Sequence, residues 1–154
     1  MNTASFHQID AAESDYLYIE SSQLRNAGSG LYTAIPIFKD ERIAIFKGKK
    51  RTDKQAAEIA AKGRDQYFIV LPDGHILDSM PTFCFAKYAN DASGPAKSSF
   101  KNNAKITLDD DDQVCLIALR TIKAGEEVFC AYGKPYWNKH SKGVQGAGLR
   151  VQER

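Results

Sequence analysis

The chain has 154 residues, which is the size of one ordinary domain. Hydrophobic residues make up 43% of the sequence and charged residues 26%, and these fractions exclude a disordered or collagen-like chain. The formal net charge of +2 is too small to predict nucleic-acid binding on electrostatic grounds.

The sequence predicts neither a membrane span nor an export signal. Its apolar runs stay short of the ~20 residues needed to cross a bilayer, and Met1–Asp10 lacks the apolar core of a secretion signal. Cys84, Cys115 and Cys130 form no CxxC pair and are odd in number. We therefore expect reduced core cysteines in an intracellular protein, cytoplasmic or nuclear, with no metal site.

The N-terminal fourteen residues are polar, show no clear period and are expected to fray. After them, short runs rich in Ile, Tyr and Phe predict strands. These strands are Tyr16–Glu20, Leu31–Phe38, Arg42–Phe46, Tyr67–Leu71, His75–Asp78, Ala104–Leu108, Gln113–Leu119 and Glu127–Ala131. The strong turn signal Pro72-Asp73-Gly74 joins two of the strands, which predicts a hairpin.

One helix is predicted in the middle of the chain. Thr52 and Gln55 have the spacing of a capping box, and Gln55–Lys62 is rich in good helix formers. Gly63 suits the left-handed position after a helix. Many short strands with one clear helix indicate a β-dominated α+β fold.

Two charged runs are interpreted as solvated turns. The basic cluster of Lys47, Lys49, Lys50 and Arg51 is more typical of a turn than of a phosphate-binding patch. The acidic run Asp109–Asp112 lacks the glycine and the distal glutamate of an EF-hand calcium loop, and hairpin turns favour Asp.

A first segment that could carry chemistry is Asn26–Leu31, which contains Gly28-Ser29-Gly30. Two glycines let the backbone turn sharply and approach a ligand without a Cβ in the way. The segment is not the dinucleotide-binding fingerprint, because no third glycine opens a helix after it. Taken alone, it favours a plain tight turn.

Two later segments are also candidates. Phe85–Ala92 is followed after a polar loop by Asn102–Ala104, and Asn90, just past an aromatic-containing apolar stretch, could cap that stretch or fix a bound polar ligand with its amide. Ala118–Gly133 predicts a strand, a turn and a second strand that ends at Tyr132. A tyrosine at a strand end is usually half-buried core, but beside a glycine bend its hydroxyl can point into a cleft.

Taken in order, these three segments resemble the SET domain, the fold of most protein lysine methyltransferases. The matching stretches are Gly28–Leu31 on the GxG motif, Leu71–Ser79 on the "viDa" hairpin, Lys87–Ala92 on the "RFINHS" segment, Asn103-Ala104 on "PNa", and Ile117–Gly133 on "a.rdI..GEEl..dYG". The resemblance runs from about Tyr16 to Trp137. The last motif is the most specific, and the order and spacing of all five make the case.

The resemblance implies the SET fold, with several small β-sheets, one main helix and a knot-like threading of the C-terminal segment. It places the SET domain at residues 15–137, after a polar segment of residues 1–14. A tail of residues 138–154 would close the cofactor site. The chain is similar to compact members that lack the zinc-binding segments found before or after the domain in other members.

The resemblance also implies an activity: transfer of a methyl group from S-adenosyl-L-methionine (SAM) to a lysine side chain of a histone or other protein. The product would be S-adenosyl-L-homocysteine, and Tyr132 matches the family's catalytic tyrosine. The implied cofactor-binding residues are Ala27, Gly28, Ser29, Gly30, Leu31, Lys87, Tyr88, Asn90, Asp91, Tyr132 and Trp137. The implied partner is a lysine-containing protein or peptide, with no direct contact to nucleic acid or membrane and no metal.

Three positions depart from the family pattern. Asp91 stands where the family has His, Lys87 where it has Arg, and Phe46 where a Tyr is frequent. These departures favour an alternative, a catalytically inactive SET-like module that binds a protein segment. The intact Gly28-Ser29-Gly30, Asn90 and Tyr132 favour the enzyme.

Overall fold

The computed structural model describes residues 7–94, 98–132 and 149–150. The strands are β1 (His7–Gln8), β2 (Leu17–Ser21), β3 (Ser29–Thr33), β4 (Glu41–Ile45), β5 (Lys49–Arg51), β6 (Phe68–Val70), β7 (Ile76–Asp78), β8 (Ala104–Leu108), β9 (Val114–Ala118), β10 (Glu127–Val128) and β11 (Leu149–Arg150). The helices are α1 (Glu13–Tyr16), α2 (Asp53–Ala61) and a 3-10 helix (Ala86–Tyr88). The β-dominated α+β fold is confirmed.

The chain forms two compact units. The described parts are residues 7–46, 85–94 and 98–131 in the first unit, and residues 47–84, 132 and 149–150 in the second. The limits of the SET domain at residues 15–137 stay a prediction. The expected threading of the C-terminal segment concerns residues outside those described.

Two sheets build the first unit. In one, the strand order is β1-β4-β9-β8, with β1 parallel to β4 and the other pairs antiparallel. In the other, β3 lies between β2 and β10, and both pairs are antiparallel. The inner strand β9 is buried along its whole length, because a strand covered on both faces carries an apolar run in place of alternation. Leu31, Ile43 and Leu116 on the inner strands are fully buried.

The second unit contains a sheet with the strand order β11-β6-β7-β5. The predicted hairpin is confirmed, since β6 and β7 pair antiparallel and the Leu71 N–H donates to the His75 carbonyl at 2.8 Å. The turn includes Gly74 at a φ of +90°, a backbone conformation that glycine adopts without steric cost.

The predicted helix is confirmed as α2. Its capping box is complete, because Thr52 Oγ1 accepts from the Gln55 N–H at 3.2 Å and Gln55 Oε1 accepts from the Thr52 N–H at 3.0 Å. Gly63, past the end of the helix, has a φ of +72°. Because α2 buries only Ala56, it contributes little to a core.

The strand predicted over Leu31–Phe38 is shorter, because β3 ends at Thr33. The Thr33 hydroxyl accepts from the Ile35 N–H at 3.2 Å and donates to the Ile35 carbonyl at 2.7 Å. Such a local side-chain hydrogen bond competes with strand pairing. Beyond it, Ile37 makes an isolated antiparallel bridge to Ile122.

Part of the N-terminal segment that was expected to fray lies in regular elements. Residues 7–8 form β1 against β4, and residues 13–14 begin α1. Glu13 Oε2 accepts from the Ile45 N–H at 3.0 Å, and the Tyr16 hydroxyl donates to the Ile43 carbonyl at 2.7 Å. The expectation is wrong for these residues because it considered only local periodicity, whereas partners about thirty residues away hold them.

The turn predicted at the basic cluster is also wrong, since Lys49–Arg51 is an edge strand paired with β7. Arg51 donates to Asp78 Oδ2 at 3.1 Å, and the Asp78 carboxylate is buried. The side chains of Lys49 and Lys50 are exposed, as expected of a solvated charge run. An exposed lysine-rich edge strand also discourages unwanted strand pairing.

The acidic run is a turn, as predicted. Asp109 is 3% exposed, and its Oδ1 accepts from the N–H groups of Asp111 and Gln113 at 2.9 Å each. Arg42 pairs with the other carboxylate oxygen at 2.8 Å. Asp112 takes the left-handed conformation with a φ of +59°. Asp109 and Asp112 therefore stabilise the turn between β8 and β9.

Three further findings concern the described residues alone. Cys84, Cys115 and Cys130 are buried thiols. Across residues 7–94, 98–132 and 149–150, no three His, Cys, Asp or Glu side chains are grouped so as to hold a metal ion. Over the same residues, no helix has the length and apolar character of a membrane span.

Candidate active site

The glycine segment forms the turn between β2 and β3. Asn26 and Gly28 have φ values of +60° and +69°, and the Ser22 N–H donates to the Gly28 carbonyl at 2.7 Å across the turn. A Cβ added at Gly28 would meet nothing within 4 Å. The glycine is therefore required by its left-handed backbone and not by crowding.

Gly30 is required for a different reason. It lies in β3 and is buried, and a Cβ built on it would overlap with the Glu127 carboxylate oxygen Oε2. The two glycines of the motif thus serve separate purposes: Gly28 allows the turn, and Gly30 makes room for a buried acidic side chain.

Glu127 was not among the predicted site residues, yet it lies under the glycine turn and is 1% exposed. Its Oε2 accepts from the Ser22 hydroxyl at 2.6 Å, and its Oε1 accepts from the Gln23 N–H at 2.8 Å. The Tyr32 hydroxyl donates to the Ser21 carbonyl at 2.6 Å and makes a second, longer contact with Oε1 at 3.2 Å. Burial, followed by the charge of Glu127, raises the pKa of Tyr32 to about 12. The local sequence gives no signal of this burial, because Glu127 directly follows Glu126 at the start of β10.

Asn90 joins two of the predicted cofactor-binding segments. It follows the 3-10 helix, and its Nδ2 donates to the Ser29 carbonyl at 2.9 Å. Its own carbonyl accepts from the Cys130 N–H at 2.9 Å, beside a parallel bridge to Phe129. The structure therefore brings the glycine turn, the segment around Asn90 and the strand after Glu127 together within the first unit.

Asn103 holds the strand that begins at Glu127. Its Nδ2 donates to the Glu127 carbonyl at 2.9 Å, and its Oδ1 accepts from the Phe129 N–H at 2.8 Å. With the side chain 1% exposed, both ends of the amide are used by the backbone. The Asn103 side chain is therefore structural, because it holds the backbone of the strand that begins at Glu127.

Asp91, which replaces the family's histidine, is 6% exposed. Its Oδ1 accepts from the Ser93 N–H at 2.8 Å, the Ser93 hydroxyl at 2.7 Å and Asn102 Nδ2 at 3.0 Å. Burial, with a smaller contribution from Asp91, raises the pKa of the Cys130 thiol. The Asp91 side chain thus shapes its own loop.

Other predicted cofactor-binding residues line the same unit. Ala27 packs against a buried cluster of Leu24, Ala92 and Phe129. In the 3-10 helix, Lys87 and Tyr88 are half-buried, and Lys87 Nζ lies 5.8 Å from the centre of the Tyr88 ring, within cation–π range. Leu31 is 0% exposed and has strand partners on both sides, in β2 and in β10.

Two predicted site residues remain, Tyr132 and Trp137. Tyr132 is half-buried and belongs to the second unit, two residues after Cys130 in the chain. Trp137 lies outside the described residues. The predicted residues that the structure joins directly are Ser29 and Asn90.

A comparison with models of protein families identifies the family to which the chain belongs. A model of the SET domain matches residues 28–133, which is more than half of the chain. The chain belongs to the SET domain family. Members of this family are typically lysine methyltransferases. A comparison with curated proteins gives no match.

Solved structures share the SET fold. They include an active polycomb repressive complex 2 in the stimulated state, with a TM-score of 0.70 and 22% identity over 88% of this chain. Another is ctPRC2 in an autoinhibited conformation bound to S-adenosylmethionine, with a TM-score of 0.61 and 22% identity over 77% of this chain. A humanized mutant of the Chaetomium thermophilum complex, bound to an inhibitor, has a TM-score of 0.61 and 24% identity over 76%.

This SET domain spans only 17%, 15% and 15% of those three chains. The likeness therefore concerns one part of much longer proteins. At identities of 22–24% it shows the fold, and the predicted SET fold is thereby confirmed.

Proposed function

We propose that this SET domain is a SAM-dependent protein lysine N-methyltransferase, acting on a lysine of a histone or another protein and releasing S-adenosyl-L-homocysteine. Family membership over residues 28–133 supports this activity. The observation that carries the proposal is the 2.9 Å hydrogen bond from Asn90 Nδ2 to the Ser29 carbonyl, because it unites two segments that the family uses for its cofactor.

The residues present fit an amino-acid-bearing cofactor. Gly28 and Ser29 are exposed, and no Cβ shields the Gly28 backbone. Asn90 donates one amide hydrogen to the Ser29 carbonyl, and none of the described residues donates a hydrogen bond to its Oδ1. That oxygen is therefore suited to accept a hydrogen bond from the ammonium group of a methionine moiety.

The remaining cofactor contacts are proposed from the family pattern. Ala27 to Leu31 would offer main-chain groups, Lys87, Tyr88 and Asp91 would line the site, and Trp137 would cover the adenine. Residues 138–154 would close the site from the C-terminal side. The SET domain itself is proposed to occupy residues 15–137.

When bound, SAM supplies a methyl group already activated by its sulfonium, so the protein has to position the amine and exclude water. A lysine amine is protonated at neutral pH, with an ordinary pKa of about 10.4. A narrow apolar channel next to a cation would favour the neutral amine through desolvation and like-charge repulsion. Tyr132 would orient the amine lone pair and hold the methyl group with weak C–H···O contacts.

The alternative is a catalytically inactive SET-like module that binds a protein segment. The observation in its favour is Asp91, whose carboxylate is already engaged by Ser93 and Asn102 within its own loop. Calorimetry with SAM separates the two proposals. Saturable binding is expected for the enzyme, and no heat at millimolar SAM would favour the inactive module.

The test of activity is mass spectrometry of histones and lysate proteins after incubation with isotopically labelled SAM. We expect label on lysine side chains with the wild-type protein, and little or none with Tyr132→Phe over the same incubation time. Label of equal intensity with both proteins, or no label with a protein that binds SAM, would overturn the proposed activity.

A further inference from the structure

Glu127 connects three pieces of chain around the glycine turn. Its two carboxylate oxygens accept from Ser22 and Gln23, which leave β2, and from Tyr32 in β3. Glu127 itself opens β10, which pairs with β3. The carboxylate thus holds both ends of the turn to a strand about a hundred residues later in the chain.

This carboxylate is an unusual group to bury. At 1% exposure, it has no salt-bridge partner among the described residues, and its stabilisation comes from hydrogen-bond donors of the turn. A buried carboxylate is costly unless its oxygens are hydrogen-bonded. The donors at Ser22 and Gln23 are therefore held in their present positions as long as Glu127 is in place. The Tyr32 hydroxyl, which donates to the Ser21 carbonyl at 2.6 Å, also contacts this carboxylate.

The packing around Gly30 provides a second observation that Glu127 contacts the glycine turn. The space that a Cβ would fill at Gly30 is occupied by Glu127 Oε2, so β3 lies directly on the carboxylate. Next to Gly30 along the chain, Ser29 presents its carbonyl to Asn90 at 2.9 Å. Asn90 and Glu127 therefore contact adjacent residues of the turn, Ser29 and Gly30.

We infer that Glu127 is a positioning residue, which fixes the shape of the Gly28–Gly30 turn and thereby sets the affinity for SAM without contacting it. The inference rests on the proposed function and adds a residue to it. A residue that only stabilised the fold would change the free energy of unfolding alone. Glu127 is inferred to determine the shape of the Gly28–Gly30 turn as well.

The main experiment compares Glu127→Ala and Glu127→Gln in the full chain by calorimetry with SAM. Alanine removes all three hydrogen-bond acceptor contacts, so we expect the Kd for SAM to rise about tenfold or more. Glutamine keeps an oxygen for Gln23 and Tyr32 and can donate to the Ser22 hydroxyl, so its Kd should stay within about threefold of wild type. In activity assays, the KM for SAM should rise while kcat at saturating SAM changes little.

Asp109→Asn is the matched control. Asp109 is also a nearly fully buried carboxylate of the first unit, at 3% exposure, and it also accepts backbone hydrogen bonds, but in the turn between β8 and β9. We expect this variant to lower the melting temperature and to leave the Kd for SAM unchanged. A residue that only stabilises the fold would behave like this control.

A second experiment tests the contact between Gly30 and Glu127 and does not depend on SAM. Gly30→Ala should lower the melting temperature strongly in the wild-type background, and much less in the Glu127→Ala background, where the carboxylate is missing. Equal effects in both backgrounds would overturn the coupling. If Glu127→Ala does not fold, the Tyr32 phenol pKa in Glu127→Gln provides the test, since it should fall once the neighbouring charge is removed.

The outcomes separate the inference from the proposed function. A wild-type protein that binds no SAM would overturn both. A wild-type protein that binds SAM, with an unchanged Kd in both Glu127 variants, would overturn the inference and leave the proposed function standing.

Discussion

At the scale of single residues, Tyr132 and Asn90 are assigned to different steps, so their substitutions should change different measurements. Tyr132→Phe removes one hydroxyl and keeps the ring. Because small misplacements of reacting groups cost about 100-fold in rate, we expect kcat to fall by about that factor or more. The Kd for SAM, measured by calorimetry, should stay close to wild type, since this hydroxyl is assigned to the methyl and the amine.

Tyr18→Phe is a suitable control for that experiment, because it removes a phenolic hydroxyl from β2, outside the proposed site. A wild-type kcat in Tyr132→Phe would remove this tyrosine from the reaction. An equal loss of SAM binding and of rate would instead assign it to the cofactor.

Asn90→Ala is expected to act on binding. The proposed contact of its amide oxygen with a charged amino-acid group is worth about 1.5–3 kcal/mol, so the Kd for SAM should rise about 10- to 100-fold. Calorimetry measures this change directly. Gln113→Ala provides the control, because it removes an exposed side-chain amide from the turn between β8 and β9, outside the proposed site. Unchanged affinity in Asn90→Ala would exclude the residue from the cofactor site.

At the scale of elements, Asn103 shows how one side chain can hold a strand in place. Asn103→Ala would leave the Glu127 carbonyl and the Phe129 N–H buried without their present partner, at a cost of about 1–3 kcal/mol each. We therefore expect a loss of about 2–5 kcal/mol in urea denaturation.

Asn103→Asp is the informative companion to that variant. It keeps an acceptor for the Phe129 N–H but cannot donate to the Glu127 carbonyl at neutral pH. If both variants were as stable as wild type, the hydrogen bonds of Asn103 would not hold the strand.

The sequence predicted well those elements that are determined by residues close together in the chain. The capping box of Thr52 and Gln55 and the turn at Gly74 each depend on residues a few positions apart, and both were found where expected. The strand Lys49–Arg51 and the N-terminal strand His7–Gln8 were not predicted, because each is only two or three residues long and exists through pairing with a distant strand. Propensity cannot reveal such partners.

At the scale of the whole molecule, the sequence predicted which segments form the candidate site but not the buried contacts between them. The family motifs identified the glycine turn and Asn90, and the structure joins them. The contact between Gly30 and Glu127 spans almost a hundred positions, and nothing in the local pattern distinguishes Glu127 from the exposed Glu of an ordinary strand. Only the folded chain shows that the second glycine of the motif makes room for a carboxylate.

The stability of the molecule should also depend on pH in the alkaline range. Tyr16 and Tyr32 have raised pKa values, chiefly because burial disfavours the phenolate, with Glu13 and Glu127 as the charges next in importance. For Tyr32 the pKa rises from 10.0 to about 12. Both groups are neutral in the folded and the unfolded chain below pH about 10, where their stabilising contribution is complete.

Above that pH, the unfolded chain releases these protons before the folded chain does, so fewer protons are bound in the unfolded state and stability falls as pH rises. We expect the melting temperature to decline between pH about 10 and about 12. In Tyr32→Phe this decline should be shallower, even though the variant starts lower at neutral pH because it loses a hydrogen bond to Glu127. An identical slope in Tyr32→Phe and wild type would mean that the Tyr32 phenol titrates alike in both states, contrary to its burial beside a carboxylate.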